Sequence, residues 1–360
     1  MPSVRDASER SACSRWSPRP ESHCARTERP HPRPSKNPML SESASAVAHR
    51  PIRHSTRESR GGVAMSTTHT DDEIGQLALR PRNVHFELSD APLHWIPGEP
   101  YASHWQSSVH FVFPAGEPLM ADAVRRAGEL MTDPELREVA FGFAAQEMMH
   151  AQSHDAALWE FLGPNGIDAR PFTRQADFAA ALTQRILDST SGAAHRRVLA
   201  LSLAIYSGVE MLATTMGQWH LDADLEKFGA DPVTLDMMRW HAAEEVEHRR
   251  VVFDVARYLG VGYLTRVVLG VSTAIGIFYL LARGTKFLVH SDPTLPNLGY
   301  FGLLREYAKA SQRGALPPLR MLASTVARYT KPSYTPEGEG NTAQAVAYLA
   351  KSPAVRAGAI

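Results

Sequence analysis

Two short segments of this chain match one another at a fixed offset, and they restrict its fold more than anything else in it. DPELREVAFGFAAQEMMHAQSHDAALWEFLG runs from Asp133 to Gly163, and DPVTLDMMRWHAAEEVEHRRVVFDVARYLG from Asp231 to Gly260. Each opens on Asp-Pro, reaches a Glu-x-x-His fourteen residues after the Asp, and closes on Gly. Asp at the N-cap, Pro at the first helical position and Gly at the exit predict one helix per segment. The Asp, Pro, Glu and His of one copy stand 98 residues from those of the other. Four chemically distinct positions in register are hard to obtain by chance.

Within the second helix, His241, Glu245 and His248 fall inside an arc of about 60° at 100° per residue. One helix can therefore offer a carboxylate and an imidazole to the same point. His150 stands in the same relation to Glu147, and His154 lies on that same face. Glu117 precedes Glu147 by 30 residues, and Glu210 precedes Glu245 by 35. The chain thus carries two copies of a pattern in which one Glu is followed, about 30 residues on, by Glu-x-x-His. Four helices bearing that pattern can surround two metal ions, one Glu from each of two helices and Glu-x-x-His from each of the others. Charge is the reason for the composition: two nearby cations repel, and buried carboxylates offset that repulsion while needing the cations themselves. A Glu-x-x-His on a solvated helix face is the ordinary alternative, and the duplication is what weighs against it. Pro118 biases Glu117 away from helical geometry. His154 and His241 are read either as added ligands or as partners of ligands. Gln146 and Glu244, each just before a motif Glu, are placed either to hold an imidazole of the neighbouring helix or on the surface. Glu247, Asp155 and Glu160 are read as solvated.

Residues 1–75 are expected to form a disordered extension. The first 64 contain 12 Arg and Lys against 6 Asp and Glu and show almost no apolar periodicity. Both cysteines, Cys13 and Cys24, lie there, which leaves the folded part without disulfides or thiolate ligands. The remainder is slightly acidic, which speaks against a nucleic-acid partner. Residues 80–103 read as a lead-in packed on the outside, His104–Met131 as a helix interrupted near Pro114 and Pro118, 173–189 as a short amphipathic helix, and 193–228 as a long one. The uncharged run 267–282, bounded by Arg266 and Arg283, is short of the roughly 20 residues of a membrane span. It is either a buried or groove-lining helix or one that dips into a membrane and admits an apolar substrate. Two short amphipathic helices follow, and residues 336–360 read as a loose tail with a weak helix around Ala343–Ala350.

With those motifs in hand, residues from about 90 to about 335 resemble the ferritin-like family of predicted metal-dependent hydrolases. The resemblance is carried by PLHWIPGEP, FPAGE around Glu117, QEMMHAQSH, Glu210 and WHAAEEVEH. It implies an all-α, ferritin-like four-helix bundle with additional C-terminal helices over 76–335. It also implies a metal set of Glu117, Glu147, His150, His154, Glu210, His241, Glu245 and His248. Two divalent ions are expected, iron first, with manganese or zinc as alternatives. Three functions stay open: O2 activation against a small organic substrate, hydrolysis by metal-activated water, and non-enzymatic iron binding. No Gly-rich phosphate loop or dinucleotide fingerprint is present, so oxygenation would draw electrons from a separate donor. A cytoplasmic location, with membrane association through 267–282, completes the expectation.

Overall fold

The computed structural model describes residues 79–359; the expected N-terminal extension lies outside the described residues. Among the described residues every regular element is helical, so the fold is all-α. The helices are α1 (Pro100–Ser107), α2 (Phe113–Glu129), α3 (Pro134–Ala157), α4 (Arg170–Asp188), α5 (Gly192–Asp222) and α6 (Pro232–His248). They continue with α7 (Val251–Tyr258), α8 (Tyr263–Ser291), α9 (Tyr300–Arg313), α10 (Leu319–Tyr329), α11 (Thr342–Leu349) and α12 (Pro353–Gly358).

The two Asp-Pro signals start helices as expected. Asp133 accepts from the backbone N–H groups of Glu135 and Leu136 at 3.0 and 3.2 Å, and Asp231 from that of Thr234 at 2.8 Å. Each leaves its Pro where a missing N–H costs nothing. α3 runs on through a π-helical turn, Leu158–Leu162, to Gly163. The second segment is not one helix, however: it breaks after His248 and resumes at Val251. The Arg249 guanidinium donates to the Val246 carbonyl at 2.8 Å, the acceptor that the Arg250 N–H would use in a continuous helix. Pro118 does not expel Glu117 from helical geometry. It sits in the second turn of α2, where the lost N–H deprives only the Pro114 carbonyl of a helical donor.

α2, α3, α5 and α6 carry the residues of interest and pack as a ring: α2 on α3, α5 on α6, α2 on α5 and α3 on α6. Close approach needs small residues. A Cβ at Gly217 of α5 would lie 2.5 Å from the Ala242 carbonyl of α6, and one at Gly208 would lie 2.6 Å from the Gly270 backbone of α8.

Three expectations are corrected. The lead-in is not an outer layer, since Leu88, Trp95 and Ile96 are buried and the Trp95 carbonyl accepts the Asp231 N–H at 2.7 Å. The C-terminal residues are not a loose tail. α11 and α12 pack on α6, Ala345 and Leu349 are buried, and Asp236 receives the Tyr348 hydroxyl at 2.6 Å and the Ala354 N–H at 3.1 Å. The uncharged run 267–282 is the middle of a 29-residue helix, α8; by length and composition both α5 and α8 suffice to cross a membrane.

Candidate metal centre

Helical periodicity turns Glu147 and His150 of α3 toward Glu245 and His248 of α6. One donor atom from each of these four lies within 4.8 Å of the others, and the same holds for Glu117, His154 and His241. The two groups meet where His241 Nε2 stands 2.8 Å from Glu245 Oε1 and 3.7 Å from Glu117 Oε1. Glu210 of α5 falls in neither group, but it feels the charges of Glu245, Glu147 and Glu117 across the ring. All eight residues expected from the sequence are buried.

Gln146 and Glu244 explain the orientation of the imidazoles. Gln146 Oε1 of α3 lies 3.0 Å from His248 Nε2 of α6, and Glu244 Oε2 of α6 lies 2.9 Å from His150 Nε2 of α3. Each helix therefore holds the other helix's imidazole through the residue just before its own Glu. With Nε2–H donated outward, the Nδ1 lone pair of each ring faces the centre. Glu244 is in turn fixed by Trp240 Nε1 at 3.1 Å and by Arg82 at 2.7 Å. Arg82 also grips Glu247 at 2.9 and 3.1 Å, so Glu247 is a nearly buried ion-pair partner and not the solvated residue expected. Asp155 and Glu160 are exposed, as expected.

Beyond the centre runs a file of imidazoles. Glu245 Oε1 accepts from His241 Nε2; His241 Nδ1 then accepts from His154 Nε2 at 2.5 Å, and His154 Nδ1 from His110 Nδ1 at 2.8 Å. Each ring spends one proton, which suits neutral imidazoles. Burial, reinforced by neighbouring imidazoles, pulls the pKa of His154 well down, that of His241 down and that of His110 to about 3. His154 is thus engaged at both nitrogens, and His110 is a participant that its sequence context does not reveal.

Burial, strengthened by the charges of Glu147 and Glu245, pushes the carboxyls of Glu117 and Glu210 far above the usual range. Burial opposes a charge on His150 too, but the surrounding carboxylates of Glu147, Glu244 and Glu245 overcome it and raise its pKa. Glu245 resists the same burial: the nearby His150 imidazole and its bond with His241 keep it ionised far below the usual carboxylate range. Carboxyls that hold protons in such a cluster could instead hold a cation.

The donor atoms support that statement directly. Among the described residues, Glu117 Oε2, both oxygens of Glu147 and of Glu210, Glu245 Oε2, and Nδ1 of His150 and of His248 are buried without a hydrogen-bond partner. Buried polar atoms are almost always partnered, and eight such atoms converging between four helices fit metal ions. Carboxylate oxygen and imidazole nitrogen together suit first-row divalent ions and leave their identity open.

Against one side of this centre lies a cavity of about 440 Å³, within the size range of small-molecule sites. Its walls are hydrocarbon, from residues such as Phe113, Leu212, Met216, Phe278 and Leu322, while His241 and Glu245 form its polar floor.

Helical fold and buried donor set together define an all-α protein with a centre able to hold metal ions. The chain belongs to the family of predicted metal-dependent hydrolases, whose model matches residues 80–340 and so spans the entire donor set. No curated protein and no solved structure matches the chain.

Proposed function

We propose that the chain is a metal-dependent enzyme whose two-cation centre acts on an apolar substrate held in the adjoining cavity. The observation that carries this reading is the set of eight unpartnered donor atoms beside a hydrocarbon-lined cavity. Glu117, Glu147, His150, Glu210, Glu245 and His248 would hold the ions, with His241 at the boundary between ions and substrate. When bound, such ions supply Lewis acidity toward a carbonyl oxygen and acidify water; iron would add electrons for O2.

The protein's own contribution is orientation and exclusion of water. Gln146 and Glu244 hold two imidazoles with Nδ1 inward. Phe113 packs against His154 and His241, its ring centre 4.9 and 5.1 Å from theirs. A substrate seated in the cavity reaches His241 and Glu245 at its floor, where His241 Nε2, hydrogen-bonded to Glu245, could exchange a proton with it.

Hydrolysis is the reaction that the family description supports. Oxidation is a second reading, favoured by a donor set with four carboxylates and by the scarcity of polar groups in the cavity to hold a polar scissile bond. It would need iron and a separate electron donor. Metal analysis of protein isolated from its own host, with turnover assays, separates them. Redox-inert metal with turnover of apolar-chain esters or amides and no O2 uptake supports hydrolysis. Iron at about two per chain, with an absorption change when O2 meets the reduced protein, supports oxidation. Protein that holds no metal at any stage overturns both.

A further inference from the structure

α8 commits one side to the protein and leaves the other bare. Gly270 and Ala274 are buried toward α5, where Gly208 meets Gly270. Leu264, Val268, Ile275 and Tyr279 face outward, exposed by 73, 61, 68 and 57%. At 100° per residue these four lie within an arc of about 60°, an apolar stripe of the kind that a helix ordinarily turns into a core.

Two further observations say what covers it. The stripe is continuous with the cavity: Ile275 belongs to both, and Leu319 of α10 also lines the cavity and is exposed. Within α8 and α10 the charge has one sign. From Tyr263 to Ser291 the charged residues are Arg266, Arg283 and Lys286, and in α10 they are Arg320 and Arg328, with no Asp or Glu in either. Arg266 is buried and Arg328 pairs with Glu339, while Arg283, Lys286 and Arg320 reach the surface. An apolar face flanked by cations is the pattern of a helix lying in the surface of an anionic bilayer. With its other face held by α5, α8 fits lying on such a surface rather than spanning it.

We propose that the exposed stripe of α8 rests in the surface of an anionic lipid bilayer, and that the cavity draws from it a lipid-soluble substrate with a hydrocarbon body. The substrate part rests on the reading of the cavity as the substrate site of the metal centre; the membrane part does not. A molecule that prefers lipid to water reaches a dry cavity at least cost when the mouth opens into lipid.

Flotation of the full chain, metal-loaded as isolated, tests the membrane part. The vesicles are phosphatidylcholine alone or mixed with phosphatidylglycerol. The protein is expected to float with the mixed vesicles, less so at high salt, and less with phosphatidylcholine alone. Leu264→Glu combined with Val268→Glu is expected to weaken partitioning by at least about tenfold, with metal content and circular dichroism unchanged. In Ile275→Trp, the indole at the cavity mouth is expected to be quenched by doxyl-labelled lipid. A wild-type chain that floats with neither vesicle overturns the proposal. So does a self-associated chain that the Glu pair converts to monomers while vesicles stay unbound, because a second copy then covers the stripe. An unquenched indole in a chain that floats overturns the route into the cavity. Metal content measured on the same samples keeps the two readings apart: metal-free protein that floats retains the membrane face and removes the catalytic centre.

Discussion

At the scale of the residue, two histidines show how the site is built and how it can be probed. His150 owes its inward Nδ1 to Glu244, which is itself tied to Arg82 and Trp240. Glu244→Ala is therefore expected to leave the donor set intact yet weaken metal binding by about 10- to 100-fold, as loss of an imidazole's outer partner does. Competitive chelator titration reads this, and unchanged affinity would separate Glu244 from the centre. His220 lies on the wall of the cavity, and burial pulls its pKa down to about 4. The unfolded chain takes up this proton near the ordinary pKa of about 6.5 while the folded chain stays neutral. Stability from this group is thus complete above pH 6.5 and falls as pH drops toward 4, by about 3 kcal/mol at most. Urea unfolding of His220→Gln across that interval is expected to show a shallower loss than the wild type; equal slopes would refute the assignment.

Between elements, closeness of backbones is what brings the donors together. Gly217 lets α5 approach α6 to a distance at which the Ala242 carbonyl would meet any Cβ. Gly217→Ala is expected to cost about 1–3 kcal/mol, read as a lower midpoint of thermal unfolding, because the neighbour is backbone and cannot swing aside. The C-terminal helices make a second case. Their burial against α6 and their bonds to Asp236 support the helix that carries His241, Glu245 and His248. A chain ending at residue 340 is expected to unfold at lower denaturant and to hold metal more weakly, whereas a true loose tail would be removed without effect on either.

For the molecule as a whole, folding and metal binding would be linked. Eight unpartnered donor atoms are a burden on the metal-free fold, and ions that bind only the folded state relieve it. At free metal about 1,000 times the dissociation constant, that linkage is worth about 4 kcal/mol. Removal of metal is accordingly expected to lower the thermal midpoint, and replacement to restore it, in scanning calorimetry; equal midpoints would argue that the cluster balances itself with protons alone. Since burial and mutual repulsion make Glu117 and Glu210 hold protons that a cation must displace, metal binding is also expected to release protons and to weaken as pH falls.

The sequence by itself determined which helices carry chemistry and which of their residues turn the same way, because caps and a 3.6-residue period act within a single helix. Glu147 with His150 and Glu245 with His248 were legible on that basis, while for Gln146 and Glu244 it left open a choice between a neighbouring imidazole and the surface, which the structure resolved. Only the tertiary structure decided the rest. His110 joins the file of imidazoles from a 3₁₀ turn, Ser108–Phe111, and Arg82 reaches Glu244 across 162 positions. A guanidinium at Arg249 ends a helix that period and caps would carry through, and hydrocarbon from seven helices encloses the cavity. Each of these depends on which surfaces meet in space, and such contacts leave no period along the chain.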